Sequence, residues 1–134
     1  MAFKEWHLYH GHISQTTPPK DKYFVIVRSC DAFVYFALIN TKPPPNNLLS
    51  ADLKNCHIII KQQDMHPVVL QYDSWLALAT KSKTLFTLPH SIYDKYEELS
   101  QLKPGIITAI RIGIKNCPII KSKIKNVLLS SNDC

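Results

Sequence analysis

Three histidines stand close together near the start of the chain, at His7, His10 and His12. Imidazole titrates near neutrality, so it can act as general acid, general base or metal ligand. In an extended segment His10 and His12 fall on one face, about 6.6 Å apart at a rise of ~3.3 Å per residue. That spacing lets them share a phosphate or a metal, but a metal would want a third ligand and none stands nearby in sequence. The plain alternative is exposed histidines on a first strand. Lys20, Lys22 and Arg28 bracket the apolar run that follows. Cations at a strand end can hold a phosphate and stabilise charge that develops during phosphoryl transfer, and they can also be ordinary loop charges. Thr41 closes the next apolar run, where threonine is either a hydrogen-bonding hydroxyl or simply a β-former. The remaining polar cluster, Tyr72-Asp73-Ser74-Trp75, has no glycine elbow and no histidine in place for a serine triad, so it reads as a structural turn. With only three glycines, a phosphate-cradling glycine-rich loop is excluded.

The elements that must position these residues are strands in the first half. Trp6–Ile13 alternates, with Leu8, His10 and His12 on one face and Tyr9, Gly11 and Ile13 on the other. Residues 14–22 form a polar loop containing the diproline Pro18-Pro19. Residues 23–28 and 33–40 are rich in aromatic and β-branched side chains and read as two strands joined by a turn at 28–31. Their polar ends would meet at one edge of a small barrel. Lys42-Pro43-Pro44-Pro45 requires a loop over 42–47, because proline neither donates to a ladder nor continues a helix. Further strands are expected at 56–61, at 68–72 and within 76–88. The period then changes. Ser91 with Asp94 is a weak helix-start signal, and Ile92, Tyr93, Tyr96 and Leu99 fall at helical spacing. Pro104 opens a second helix carrying Ile106, Ile107, Ile110, Ile114 and Cys117. Ile120, Ile124, Val127 and Leu128 suggest a last one, its lysines outward. Strands first and helices last give an α+β domain, a small curled sheet or barrel with helices packed on it.

At 134 residues and 46% hydrophobic content the chain is long and apolar enough for one folded domain. Its net charge of +6 is uneven: residues 1–102 carry +1 and residues 103–134 carry +5. A basic segment of that kind suits nucleic acid or an acidic protein, or is a solvated face that keeps the chain soluble. Cys30, Cys56, Cys117 and Cys134 are scattered with no CxxC pair, which reads as reduced structural thiols. Lys4, Glu5 and His7 interrupt any apolar leader, and no apolar run reaches the ~18 residues of a membrane span. The cytoplasm is the expected location, with no membrane partner.

The order of parts carries a resemblance. Gly11-His12-Ile13, a Pro-containing basic loop, Lys22-Tyr23-Phe24-Val25-Ile26-Val27, and a strand ending Leu38-Ile39-Asn40-Thr41 resemble the PemK/MazF-like toxins of toxin–antitoxin pairs. The resemblance covers roughly residues 8–88. It implies an SH3-like barrel of five to seven strands over 1–88 with a helical part over 89–134, commonly as a homodimer. It implies a metal-independent endoribonuclease that cuts single-stranded RNA without a cofactor and is neutralised by an acidic antitoxin. Lys22 matches the position of the family's catalytic arginine, and Thr41 that of its catalytic threonine. His12 stands where the family has an acidic residue, and His12 or His10 becomes the candidate acid/base. Lys20, Arg28 and His10 are then the expected substrate-binding residues. Tyr23 replaces a proline, and lysine offers phosphate a point charge where arginine offers a planar fork. The alternative from another class is a non-catalytic barrel that binds nucleic acid or an acidic partner protein.

Overall fold

Four successive side chains, Phe24, Val25, Ile26 and Val27, are almost completely shielded from water. A strand buried at every position must be covered on both faces, which is what its continuous apolar run anticipates. In the computed structural model, which describes residues 2–16, 18–41, 55–79 and 85–134, this run is the middle of β2 (Lys20–Ser29). It pairs antiparallel with β1 (His7–Ile13) on one side and β3 (Phe33–Asn40) on the other. The expected turn forms two residues later than 28–31: Arg28 and Ser29 still pair with Tyr35 and Val34, the chain reverses over 30–32, and Cys30 N donates to Phe33 O at 2.8 Å. The strand starts earlier than the sequence suggests: Lys20, Asp21 and Lys22, expected in the loop, pair with Ile13, His12 and Gly11.

Five more strands complete the sheet: β4 (His57–Ile60), β5 (Met65–His66), β6 (Ser74–Ala77), β7 (Phe86–Pro89) and β8 (Glu97–Leu102). Their order is β4-β6-β3-β2-β1-β8-β5, with β7 beside the first half of β3, and every pairing is antiparallel. The protein is therefore α+β. The eight described strands form an open sheet, with β4 and β5 at opposite ends, where the sequence reading expected a barrel of five to seven.

Leu8, Val25, Val27, Ala37 and Ile39 point to one face and pack with Ile106, Ile110 and Ile114 of α1 (Pro104–Asn116) and Leu128 of α2 (Ser122–Leu129). The three isoleucines stand four apart, one stripe of a 3.6-residue period. Tyr9, Ile13, Phe24, Ile26, Phe36 and Leu38 form the other face, covered by Phe3 and by Ile92, Tyr93 and Tyr96. Both helices were legible. The helix expected from Ser91 is not: His90–Lys95 is a short 3-10 turn with no side-chain cap, and Glu97–Leu102 is β8. The segment assigned to the helical part thus supplies a sheet strand. Pairing with β1 and β5 buries Ser100 and Leu102, and tertiary pairing overrides the local helical spacing. The strand expected at 68–72 is also absent. Val68 and Tyr72 are exposed, and the Gln62 amide holds the carbonyls of Leu70 and Gln71. The proline loop at 42–47 lies outside the described residues.

The cysteines are paired, which corrects the reduced-thiol reading. Cys56–Cys117 ties the entry of β4 to the end of α1, and Cys30–Cys134 ties the β2–β3 turn to the C-terminal segment. Partners 61 and 104 residues apart leave no local spacing to read. Among the described residues, no helix is long and apolar enough to cross a membrane.

Candidate functional site

Alternation along β2 sends Lys20, Lys22 and Phe24 to one face and Asp21, Tyr23 and Val25 to the other. Lys22 stands opposite Gly11 on β1. On β3, the pairings Tyr23–Ile39 and Phe24–Leu38 bring Asn40 beside it. The half-buried Lys22 ammonium donates to Asn40 Oδ1 at 2.5 Å, and Asn40 is its only hydrogen-bond partner among the described residues. Burial disfavours the charged form and holds the Lys22 pKa below that of an ordinary lysine, and the Lys20 charge lowers it further. Exposed Thr41 follows Asn40 directly. Lys20 and Lys22 thus share one face of β2, Asn40 meets Lys22 from the end of β3, and Thr41 is the next residue along the chain. An amine that is costly to keep charged gains most from an anion placed against it, so the arrangement suits a phosphate.

The histidines chosen from sequence lie elsewhere. His10 and His12 share the opposite face with Leu8. The His10 ring packs on Tyr23 at 4.6 Å between centroids, and His12 Nδ1 lies 3.5 Å from Asp21 Oδ1. The sheet itself separates His12 from Lys22, so the trio Lys22, Thr41 and His12 is not brought together. His12 thus lies on the face opposite the Lys22 amine.

Arg28 is not placed to bind substrate. Its guanidinium is mostly buried and pairs with Glu5 Oε2 at 3.3 Å. It also donates to Val127 O at 3.0 Å and to Asn132 O. It anchors the C-terminal segment against β2, through partners about a hundred residues away that no local pattern reveals. Asn40 was missed for the opposite reason. Its signal was present, a polar residue ending an apolar strand in register with a lysine, but the adjacent hydroxyl drew the assignment.

Tyr72-Asp73-Ser74-Trp75 is structural, as read. Ser74 Oγ donates to Tyr72 O at 3.0 Å, and Asp73 Oδ1 accepts from Gln62 N at 3.2 Å. Two cations of the basic segment lace the helices together, Arg111 donating to Leu129 O and Lys125 to Lys115 O. Beside them Thr108, Arg111, Ile112, Lys115 and Leu129 line a groove of about 320 Å³. Among the described residues, no group of three or more His, Cys, Asp or Glu side chains is placed to hold a metal ion. No protein-family model, curated protein or solved structure matches this chain.

Proposed function

We propose that this chain binds single-stranded RNA by its phosphates at the Lys20–Lys22–Asn40–Thr41 edge and cleaves it as a divergent MazF-like endoribonuclease. The observation that carries the reading is the half-buried Lys22 amine, held by Asn40 and lowered in pKa, at a strand end beside Lys20 and Thr41. In the reaction an RNA 2′-oxygen attacks the adjacent phosphorus and the bond to the 5′-oxygen breaks, leaving a cyclic phosphate and a free 5′-hydroxyl. Lys22 stabilises charge on the phosphoryl oxygens and Thr41 hydrogen-bonds one of them. The proton transfers expected of His12 pass to Lys22. A lysine with lowered pKa can give up and regain a proton where an ordinary one stays charged.

A second reading is favoured by the position of His12 across the sheet: the same edge binds RNA without cutting it. Both readings treat the open sheet as a relative of the SH3-like barrel. An acidic partner protein would have the basic α1–α2 surface to dock on, and self-association as a homodimer belongs to the same proposal. The two disulfides weigh against the cytoplasm and for an oxidising compartment.

Purified protein incubated with mixed-sequence RNA in EDTA tests the proposal. Cleavage lost in Lys22→Ala and reduced in Thr41→Ala supports the leading reading. Cleavage that survives both substitutions removes these residues from the chemistry, and salt-sensitive binding without cleavage selects the second reading.

A further inference from the structure

A second polar cleft opens where β1, β8 and the short β5 meet, at the other end of β1 from Lys22. It has a volume of about 270 Å³, and its lining includes His7, His66, Pro67, Glu98, Leu99 and Gln101. His7 and His66 both stand opposite Gln101, one on each side of β8. Residues directly paired across antiparallel strands point to the same face, so the two imidazoles flank the Gln101 amide. Leu102 and Met65, one position along, point into the core.

His7 is fixed by its surroundings, and His66 stands exposed on a secured backbone. His7 Nδ1 meets Glu98 Oε1 at 2.5 Å, which leaves Nε2 as the nitrogen available to a ligand. Lys4 Nζ lies 3.7 Å from the same carboxylate oxygen and offsets its charge. The residue before His7, Trp6, has a left-handed backbone with φ of 62°, uncommon for a bulky side chain. Its N–H donates to Ile26 O at 2.7 Å and its carbonyl accepts from Leu102 N at 2.9 Å, so the strained entry into β1 is held from both sides. On the far wall, Ser100 Oγ donates to Pro67 O at 2.8 Å and secures the segment that carries His66.

The strand spacing and the ligands at hand bear on the ligand class. Two strand spacings of ~4.8 Å put the histidine backbones about 10 Å apart. Among the described residues no third His, Cys, Asp or Glu joins the two imidazoles in a group placed to hold a metal ion. Two N–H···O bonds of about 2.8 Å with a tetrahedral oxyanion between them fit the gap far better. The volume lies just below the ~300 Å³ at which small-molecule sites begin, enough for one small ester, and Pro67 and Leu99 offer its carbon skeleton an apolar wall.

We propose that this cleft binds the phosphate group of a nucleotide-sized phosphate ester, with His7 and His66 donating to it from opposite sides. It takes from the RNA reading only the nucleotide character of the ligand. His7 and the Lys22-facing Gly11 stand four residues apart on β1, about 13 Å, with Tyr9 and its aromatic cover between them, so the cleft and the Lys22 edge are separate sites.

The test is a titration of the disulfide-intact protein with uridine 3′-monophosphate, followed by the imidazole NMR signals, with inorganic phosphate in parallel. The expected result is saturable movement of the His7 and His66 signals together, with His10 and His12 still. His66→Gln, at an exposed position that tolerates exchange, is expected to weaken binding about tenfold, the effect of one charge-assisted hydrogen bond. Unmoved His7 and His66 signals at millimolar nucleotide overturn the proposal. Inorganic phosphate binding as tightly as the nucleotide overturns the ester specificity. Saturation of the two histidines in a protein that ignores RNA supports the cleft while removing the RNA reading. RNA binding with both histidines silent does the reverse.

Discussion

Replacing Cys56 and Cys117 together by alanine removes a cross-link between two fully buried residues 61 positions apart. Chain entropy alone assigns ~3 kcal/mol to a 15-residue loop and ~4.7 kcal/mol to a 100-residue loop, so this one contributes roughly 4 kcal/mol. A domain of ordinary stability has about 5–15 kcal/mol in total. The double variant is therefore expected to keep a fraction of the native stability, or none at body temperature. With a urea dependence of about 2 kcal/mol per molar, the midpoint should fall by about 2 M. The slope itself should rise, because the unfolded chain without the bond is more expanded. Equilibrium urea unfolding by far-UV circular dichroism reads both quantities. A midpoint within about 0.5 M of the parent, with the parent shown by intact mass to be bonded, would refute the assignment of stability to this link.

The remaining predictions concern single elements. Cys134 is exposed whereas Cys56 and Cys117 are fully buried, so mild dithiothreitol should open Cys30–Cys134 first, as mapped by differential alkylation and mass spectrometry. Lys22→Met should unfold at a temperature equal to or above the parent at neutral pH, since it removes a charge that burial disfavours. The unfolded state holds the Lys22 proton more tightly, so parent stability should rise with pH from the lowered native pKa up to 10.5, and Lys22→Met should lack that rise in a pH series of thermal melts. Gly11→Ala would drive a Cβ into the Tyr96 ring, which is pinned by its bond to His12 O and an edge contact with Phe24. A loss of about 1–3 kcal/mol in urea unfolding is expected, from overpacking.

Much of the fold was legible because its signals are local. The aromatic and β-branched runs of β2 and β3 name themselves, as do the Ile106–Ile110–Ile114 stripe and Pro104 at the head of α1. What stayed hidden depends on distant partners. Tyr96 and Leu99 keep helical spacing, yet β1 and β5 draw Glu97–Leu102 into the sheet. Arg28 looks like a phosphate ligand until the C-terminal segment arrives to occupy it. The cysteine pairs have no spacing rule to betray them. At the candidate site the same division holds. Lys22 and Thr41 were found because strand ends are readable, whereas the face Lys22 takes stayed unread because its strand was expected from residue 23 and starts at Lys20, three residues earlier.

The most direct test of the central claim is the salt dependence of single-stranded RNA binding by the parent and by Lys22→Ala. For single strands each neutralised phosphate adds about 0.7 to the slope of log affinity against log salt. Lys22→Ala is expected to weaken binding at every salt concentration and to flatten the slope by about that amount. Between 50 and 200 mM salt the parent should then lose about 2.6-fold more affinity than the variant. Equal slopes and equal affinities would contradict the account, because Lys22 would then touch no phosphate.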